Sequence, residues 1–489
     1  MITMALENFT RSLQDIMRQD AGISGDAQRI EQLGWMFFLK VYDFRDGNWE
    51  VYRDDFTSII PEGLRWSNWA VDKKDGKALT GDALLEFVNN KLFPGLKNLA
   101  VTSGTPFNQA IVREVFSDSN QYMKDGVLLR KLLNKINEDV NLEDYRQRHA
   151  FGDIYENILR DLQGAGNAGE FYTPRPVTDF MVDCVRPVLG ERVADFAAGT
   201  CGFLVSALTR LEHQSHTPDD WAKYSRSVYG VEKKPMPYLL GMTNLLLHRV
   251  DIPELYHGNA LERDVTSYPD SEKFDVILMN PPYGGIETEN IMSNFPVDMR
   301  SNETADLFLV LAMYRLKAGG RAAIIIPDGF LFGTDGPKLA IKKHLLENFR
   351  LHTVVRLPAG VFSPYTSITT NILFFENDGA TREVWFYRVP MLEDGRAYSK
   401  SRPFGLEQFG ECVKWWDARR EVRDADGFEV ARCVSLEELA ANGYGFDYCG
   451  YPSGGEELPG VGEAYRDLER EYLAIGESMR RIAELMEGL

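Results

Sequence analysis

The sequence predicts an α/β protein with a doubly wound, mostly parallel sheet of seven strands, a helical N-terminal domain and a C-terminal heptad helix. Short β-branched runs recur between residues 192 and 375, and helical stretches separate most of them; this is the pattern of parallel strands joined by helices. Apolar residues at helical spacing dominate the chain before residue 163 and again after residue 460.

Residues 1–162 are predicted to form a helical domain. Between Ile30 and Phe44 the apolar residues stand three and four positions apart, so they share one face of a helix. A similar apolar face begins at Val127 and continues to Leu162. Such faces usually pack into a core. The stretch between them, residues 47–104, fits neither helix nor strand periodicity clearly.

The sheet domain is predicted over residues 163–376, after a run of small residues that is typical of a loop. The candidate strands are Arg192–Phe196, Ser227–Val231, Leu255–His257, Asp275–Met279, Arg321–Ile326, His352–Leu357 and Ile368–Phe375. The candidate helices are Pro176–Val188, Phe203–His213, Pro235–Arg249, Ala305–Lys317 and Pro337–Asn348.

Residues 377–460 are rich in glycine, aromatic and charged residues and are predicted to be an irregular extension. Residues 461–489 are predicted to form a helix with one continuous apolar seam. Its members, four and three positions apart in alternation, are Val461, Tyr465, Leu468, Tyr472, Ile475, Met479, Ile482, Met486 and Leu489. This seam can pack on its own domain or on another chain, and its narrowness favours another chain.

The composition excludes several classes of protein. The net charge is −19, which disfavours unaided binding to DNA because such binding depends on basic side chains. Five cysteines without a CxxC pair argue against a disulfide framework and a zinc finger, and no histidine pair has the spacing of metal ligands. Neither a secretory signal nor a membrane span is predicted. We therefore expect a cytoplasmic protein without a metal site.

The strongest motif is the tetrapeptide Asn280, Pro281, Pro282 and Tyr283, which directly follows an apolar strand. Ligands of doubly wound sheets bind at this end of the strands. The Asn280 side-chain oxygen and the Pro281 carbonyl can accept hydrogen bonds from an amine, and so localise the lone pair of its nitrogen. The prolines restrict the backbone, and Tyr283 offers a ring on which a planar base can stack. A stiffened turn without catalytic function is the alternative.

A second motif is a turn of small residues between a strand and a helix. Its candidate binding residues are Asp195, Gly199, Thr200, Cys201 and Gly202. The glycines allow close approach of the backbone to a ligand, and the strand that follows ends at Glu232, where a carboxylate can accept both hydroxyls of a ribose. The turn is not a GxGxxG sequence, which disfavours a nicotinamide cofactor. A tight turn without a ligand is the alternative.

Two weaker elements fit the same site. One precedes the first helix of the sheet domain and consists of Glu170, Phe171, Tyr172, Thr173, Pro174 and Arg175. The other, Asn259 and Ala260, follows the candidate third strand, and the asparagine offers both a donor and an acceptor to an adenine edge. Each of them is also compatible with an ordinary loop or turn.

Together, these motifs resemble the modification subunit (HsdM) of Type I restriction-modification systems, over about residues 1–375 and in the C-terminal helix. The resemblance implies a seven-stranded methyltransferase sheet and the cofactor S-adenosylmethionine. It implies that the cofactor is bound by the turn from Asp195 to Gly202 together with Glu232, by the segment from Glu170 to Arg175, and by Asn259 and Ala260. It implies methylation of N6 of adenine in double-stranded DNA, with the base flipped onto Tyr283. Phe196, Ala198 and Cys201 depart from the usual cofactor loop of the family.

The resemblance also implies partners. Two modification subunits assemble with one DNA specificity subunit, and restriction/translocase subunits join for cleavage. A specificity chain that holds the DNA would explain how a chain of charge −19 works on a polyanion. Two alternatives stay open: a stand-alone amino-methyltransferase acting on RNA or protein glutamine, and a non-catalytic scaffold with the same fold.

Overall fold

The computed structural model describes residues 2–452, except residues 55, 141, 143–150, 153, 154, 157, 159–171, 335 and 393. The chain divides into two units between residues 449 and 450, and the first, residues 1–449, is compact. The predicted heptad helix, residues 461–489, lies outside the described residues, as do the predicted site residues Glu170 and Phe171.

The N-terminal part is helical, as predicted. Its helices are α1 (Ile2–Arg18), α2 (Asp26–Tyr52), α3 (Trp66–Trp69), α4 (Gly81–Phe87), α5 (Phe93–Lys97), α6 (Phe107–Asp118) and α7 (Gly126–Asp139). The helix predicted between Ile30 and Phe44 is the middle of α2. This helix is apolar on several sides, and its Trp35, Phe37 and Phe38 are fully buried, so α2 is a core helix; it contacts α3, α5 and α6.

Among the described residues, ten strands form one sheet. They are β1 (Val193–Asp195), β2 (Val228–Glu232), β3 (Glu254–His257), β4 (Phe274–Met279), β5 (Leu316–Pro327), β6 (Arg350–Arg356), β7 (Thr370–Glu376), β8 (Glu383–Arg388), β9 (Val422–Arg423) and β10 (Glu429–Ser435). Their order is β3-β2-β1-β4-β5-β7-β6-β8-β10-β9. Strands β1 to β5 pair in parallel, and β7 runs antiparallel to β5 and β6.

The predicted doubly wound arrangement is present. Alternate residues of β4 enter different cores: Val276 and Leu278 join one cluster, and Ile277 and Met279 join another. Each face of the sheet is therefore covered by packed apolar side chains, as expected for a mostly parallel sheet. The principal helices of this part are α8 (Arg175–Val185), α9 (Gly202–Glu212), α10 (Pro218–Tyr224), α11 (Pro235–Leu247), α12 (Glu289–Met292), α13 (Thr304–Arg315), α14 (Asp328–Phe332) and α15 (Gly336–Asn348).

The prediction of an irregular extension over residues 377–460 needs correction, because this stretch supplies β8, β9 and β10 and the helices α16 (Gly410–Trp416) and α17 (Leu436–Ala441). Strand β8 contains Val384, Trp385, Phe386 and Tyr387, which are β-branched and aromatic residues that favour strands. The glycine-rich, charged connections around these short runs conceal the strand periodicity. The seven predicted strands thus form part of a wider, ten-stranded sheet.

Within the ranges that the structure describes, no helix combines the length and the apolar character needed to cross a membrane.

Candidate active site

A cavity of about 300 Å³ lies at the carboxyl ends of β1, β2, β3 and β4. Strand β1 has β2 on one side and β4 on the other, so the chain changes direction across the sheet at this point. In doubly wound sheets such a reversal opens a crevice where ligands bind. The cavity lies at this crevice.

The glycine loop, residues 196–201, connects β1 to α9 and forms one wall of the cavity. Gly199 has a φ of 53° and Cys201 a φ of 65°, both in the left-handed region that glycine tolerates and other residues adopt at a cost of about 1–2 kcal/mol. The Cys201 side chain is fully buried, and a Cβ atom on Gly241 would lie 2.7 Å from its sulfur. The loop therefore depends on glycine at position 241 of α11 as well as at position 199.

Glu232, at the end of β2, holds the glycine loop in place. It is 7% exposed, and its carboxylate accepts the backbone N–H of Gly199 at 2.8 Å and of Lys234 at 2.6 Å. Burial raises the pKa of Glu232, while these N–H groups lower it. Two strong backbone donors thus keep a largely buried carboxylate in a fixed orientation beside the cavity.

Asp195, the last residue of β1, is 1% exposed and accepts the N–H of Ala197 at 3.0 Å. Burial raises the pKa of Asp195 from 3.8 to about 8, against the Ala197 N–H group and together with the charge of Glu232. The cavity therefore contains a carboxyl group that is destabilised as an anion and that a cationic ligand would stabilise.

The pH dependence of the free energy of unfolding tests whether the ionised Asp195 carboxylate is destabilised by burial. The unfolded carboxyl ionises near pH 4 and the folded one near pH 8, so Asp195 lowers the free energy of unfolding as pH rises between these values. Asn retains an acceptor for Ala197 without the charge. We expect Asp195→Asn to gain stability relative to the wild type between pH 5 and pH 8, by at most about 1.4 kcal/mol per pH unit. Denaturant unfolding of both proteins over this pH range measures the difference in the free energy of unfolding. The same pH dependence in the wild type and in Asp195→Asn would contradict the buried charge.

The predicted tetrapeptide begins directly after β4. The Asn280 amide donates to the Thr173 hydroxyl at 3.0 Å, and its oxygen accepts the Tyr283 hydroxyl. Burial raises the pKa of Tyr283 well above its usual value, so this hydroxyl stays protonated and donates. The Tyr283 ring meets Phe362 edge-on, with 6.2 Å between ring centres. Two neighbours thus fix which way the amide of Asn280 points.

Known proteins resemble this chain over most of its length. The HsdM N-terminal domain model matches residues 6–136, and the N-6 DNA Methylase model matches residues 146–457. The methylase subunit of the Type I restriction enzyme EcoEI from Escherichia coli is 46% identical over 452 residues, which cover 91% of this chain and 90% of that subunit. The chain belongs to the Type I methylase subunits.

Solved structures agree with this assignment. A chain from a study of complex assembly and conformational transition in the type I R-M system covers 99% of this methylase subunit and 98% of its own length, with 36% identity and a TM-score of 0.82. A modification subunit attributed to a type I restriction enzyme of Vibrio vulnificus YJ016 covers 89% and 92%, with 38% identity and a TM-score of 0.77. The predicted family, fold class and enzyme class, an adenine-specific DNA methyltransferase, are confirmed.

The cavity of the methylase subunit collects half of the predicted site residues. Those that line it are Thr173, Asp195, Gly199, Gly202, Glu232, Asn259, Ala260, Asn280 and Pro282. Seven other predicted site residues that the structure describes are not part of the lining: Tyr172, Pro174, Arg175, Thr200, Cys201, Pro281 and Tyr283. Thr304 and Phe308 of α13 line the cavity as well, and sequence analysis missed them because they belong to no local motif.

A second set that sequence analysis missed lies behind the glycine loop. Glu156 accepts hydrogen bonds from Arg175 (Nε at 2.6 Å) and from Asn244 (Nδ2 at 3.1 Å). Arg175 also donates to the Gly202 carbonyl, and Asn244 to the Thr200 carbonyl at 3.1 Å. The Glu156 carboxylate therefore orients two side-chain donors. Asn244 bonds a carbonyl of the glycine loop, and Arg175 bonds a carbonyl at the start of α9. Arg175 is thus a support of the loop rather than a wall of the cavity.

Proposed function

We propose that this methylase subunit transfers a methyl group from S-adenosylmethionine to N6 of an adenine in double-stranded DNA. One observation carries the proposal. A single cavity is lined by Asp195 and Glu232, which end β1 and β2, and by Asn280, which directly follows β4. These residues offer a partner for a cation, a partner for neighbouring hydroxyls and an acceptor for an amine.

The cavity residues fit the cofactor group by group. Asp195 suits the ammonium of the amino-acid part, because a cation relieves the cost of its buried charge. Glu232 suits the ribose hydroxyls, and Asn259 offers a donor and an acceptor to the adenine edge. The bound cofactor supplies an electrophilic methyl group on its sulfonium. Because its glycines carry no side chain, the backbone of the glycine loop can approach the cofactor closely.

The tetrapeptide suits the acceptor base. A base amine is a weak nucleophile because its lone pair is delocalised into the ring. The Asn280 oxygen and the Pro281 carbonyl would accept its two N–H groups and localise that lone pair. Tyr283 now donates to the Asn280 oxygen, so the incoming amine takes over this acceptor while the base stacks on the Tyr283 ring.

The proposal is tested by co-expressing the chain with the specificity subunit of its system. Duplex DNA, RNA and a glutamine-containing protein are then offered with labelled cofactor, and the modified DNA is digested and analysed for N6-methyladenine. We expect label in DNA alone, at adenine. Label in RNA or in protein glutamine would favour the stand-alone amino-methyltransferase, and cofactor binding without any transfer would favour a scaffold.

The partners are proposed from the family resemblance, and the charge of the chain and the predicted C-terminal seam, residues 461–489, support them. We infer that two copies assemble with one specificity subunit that supplies the basic DNA contacts, and that restriction/translocase subunits join for cleavage.

We expect deletion of residues 461–489 to abolish stable association with the specificity subunit while cofactor binding persists. Size-exclusion chromatography measures this. A truncated chain that still forms the complex would remove the seam from the assembly, and one that aggregates would indicate packing on its own domain.

The support behind the glycine loop gives a separate prediction. Glu156→Gln keeps the shape of the side chain but weakens its hold on Arg175 and Asn244. Since hydrogen bonds to charged groups contribute about 1.5–3 kcal/mol, we expect cofactor affinity to fall by about tenfold, with little change in the rate at saturating cofactor. Calorimetric titration and saturation kinetics measure the two quantities.

The matched control for this variant is Glu191→Gln. Glu191 forms an ion pair with Arg321 at 2.8 Å, with exposure similar to that of the Glu156–Arg175 pair, but Arg321 bonds the chain at Val185 and Arg186 and not at the glycine loop. An equal loss of cofactor affinity in both variants would show a general loss of stability rather than a positioning role.

A further inference from the structure

Ile286 is an apolar side chain at the mouth of the cavity. It stands three positions after Tyr283, contributes to the cavity lining and is nevertheless 78% exposed. A side chain that serves only as a wall for the cofactor would turn most of its surface inward. Most of the Ile286 surface instead faces solvent at the opening of the cavity.

The backbone that carries Ile286 is firmly held. Gly285 accepts the N–H of Thr304 at 3.1 Å, Glu287 donates to the Asn302 carbonyl at 2.9 Å, and Ile286 itself forms an antiparallel bridge with Glu303. A Cβ atom on Gly285 would lie only 2.5 Å from the Thr304 hydroxyl, so the segment lies close against α13. An exposed apolar side chain is thus presented on a backbone that is fixed on both sides.

We propose that Ile286 is a wedge that enters the base stack as the target adenine leaves it. This inference rests on the proposed function, in which the base must reach Asn280 from within a duplex. Extrusion of a base costs unstacking and unpairing energy, and proteins that distort duplexes commonly insert an apolar side chain between base steps to offset it. Ile286 provides such a side chain six positions after Asn280.

The segment also provides a matched control. Val297 is 78% exposed like Ile286, and it lies in the same connection between β4 and α13, in a short 3₁₀ turn. Val297 does not belong to the lining of the cavity. Truncation of either side chain to alanine removes exposed apolar surface of similar size, so a difference between the two variants reports position rather than surface hydrophobicity.

The test uses the complete complex with the specificity subunit and a duplex containing its mapped methylation site. Ile286→Ala should methylate the paired duplex about tenfold more slowly than the wild type, and Val297→Ala should not. With the target adenine mispaired, so that extrusion costs less, Ile286→Ala should approach the wild-type rate. Fluorescence of 2-aminopurine at the target position should rise less in Ile286→Ala than in the wild type. Cofactor affinity should be equal in all three proteins.

Other outcomes overturn the wedge. A weaker cofactor affinity of Ile286→Ala, with equal losses on paired and mispaired duplexes, would make Ile286 a cover of the cofactor. Unchanged rates on both duplexes would remove any role in extrusion while the wild-type methylation leaves the proposed function intact. A wild-type complex that transfers no methyl group to adenine in either duplex would overturn the proposed function and the wedge together.

Discussion

Replacing Asn280 with alanine should lower the rate of DNA methylation by about 10²–10³ at saturating cofactor and DNA, because loss of one preorganised polar partner has an effect of that size. The side chain is held by Thr173 and Tyr283, so its oxygen is oriented before the base arrives. The measurement is single-turnover methyl transfer in the complex with the specificity subunit.

The cofactor affinity of Asn280→Ala should stay close to that of the wild type, since Asp195 and Glu232 are unchanged. Asn290 offers a control because it is an exposed asparagine on the connection that follows the tetrapeptide, and Asn290→Ala should methylate normally. Near-normal transfer by Asn280→Ala would exclude the proposed role of its oxygen, whatever happens to cofactor binding.

Replacing Gly199 with valine should reduce cofactor binding at least tenfold. A β-branched residue is a marked outlier at the φ of 53° found here, and holding it there costs about 1–2 kcal/mol. The loop would relax, and its N–H group would leave the Glu232 carboxylate that it now meets at 2.8 Å. The variant would therefore lose both the Gly199 part of the cavity wall and the fixed orientation of Glu232. Isothermal titration with S-adenosylmethionine measures the resulting loss of affinity.

The control for backbone strain alone is Gly190→Val. Gly190 also has a positive φ, 103°, and open space around its Cβ position, but it lies before β1 and outside the cavity lining. This variant should lose thermal stability and keep its cofactor affinity. Equal binding losses in the two variants would mean that strain anywhere near β1, rather than the geometry of the glycine loop, decides binding.

Local sequence signals were sufficient to predict the central strands of the sheet and to identify nine of the residues that line the cavity. Strand β4 is a continuous apolar run that ends at a distinctive tetrapeptide, so both its position and its functional end are readable from neighbouring residues. Asp195 and Glu232 are likewise the last residues of their strands. The strand-end rule for doubly wound sheets then predicts that these side chains meet.

Residues and strands whose role depends on partners distant in the sequence could not be predicted from the sequence. Glu156 is an ordinary glutamate in the sequence, and only the packing of α8 and α11 brings Arg175 and Asn244 to it. Phe308 enters the cavity through the docking of α13 and not through a motif. Strand β9 has two residues, which is too short for a periodic pattern, and it exists because β10 offers its edge.

The support behind the glycine loop has a consequence for the order in which the protein folds. Asn244 meets Thr200 across 44 positions of sequence and Glu156 across 88. Such contacts form only after the loops between their partners have closed. The cavity should therefore acquire its geometry only after α11 has joined the fold, and on the ribosome only after α11 has emerged. S-adenosylmethionine added during refolding should then slow unfolding without accelerating the folding step.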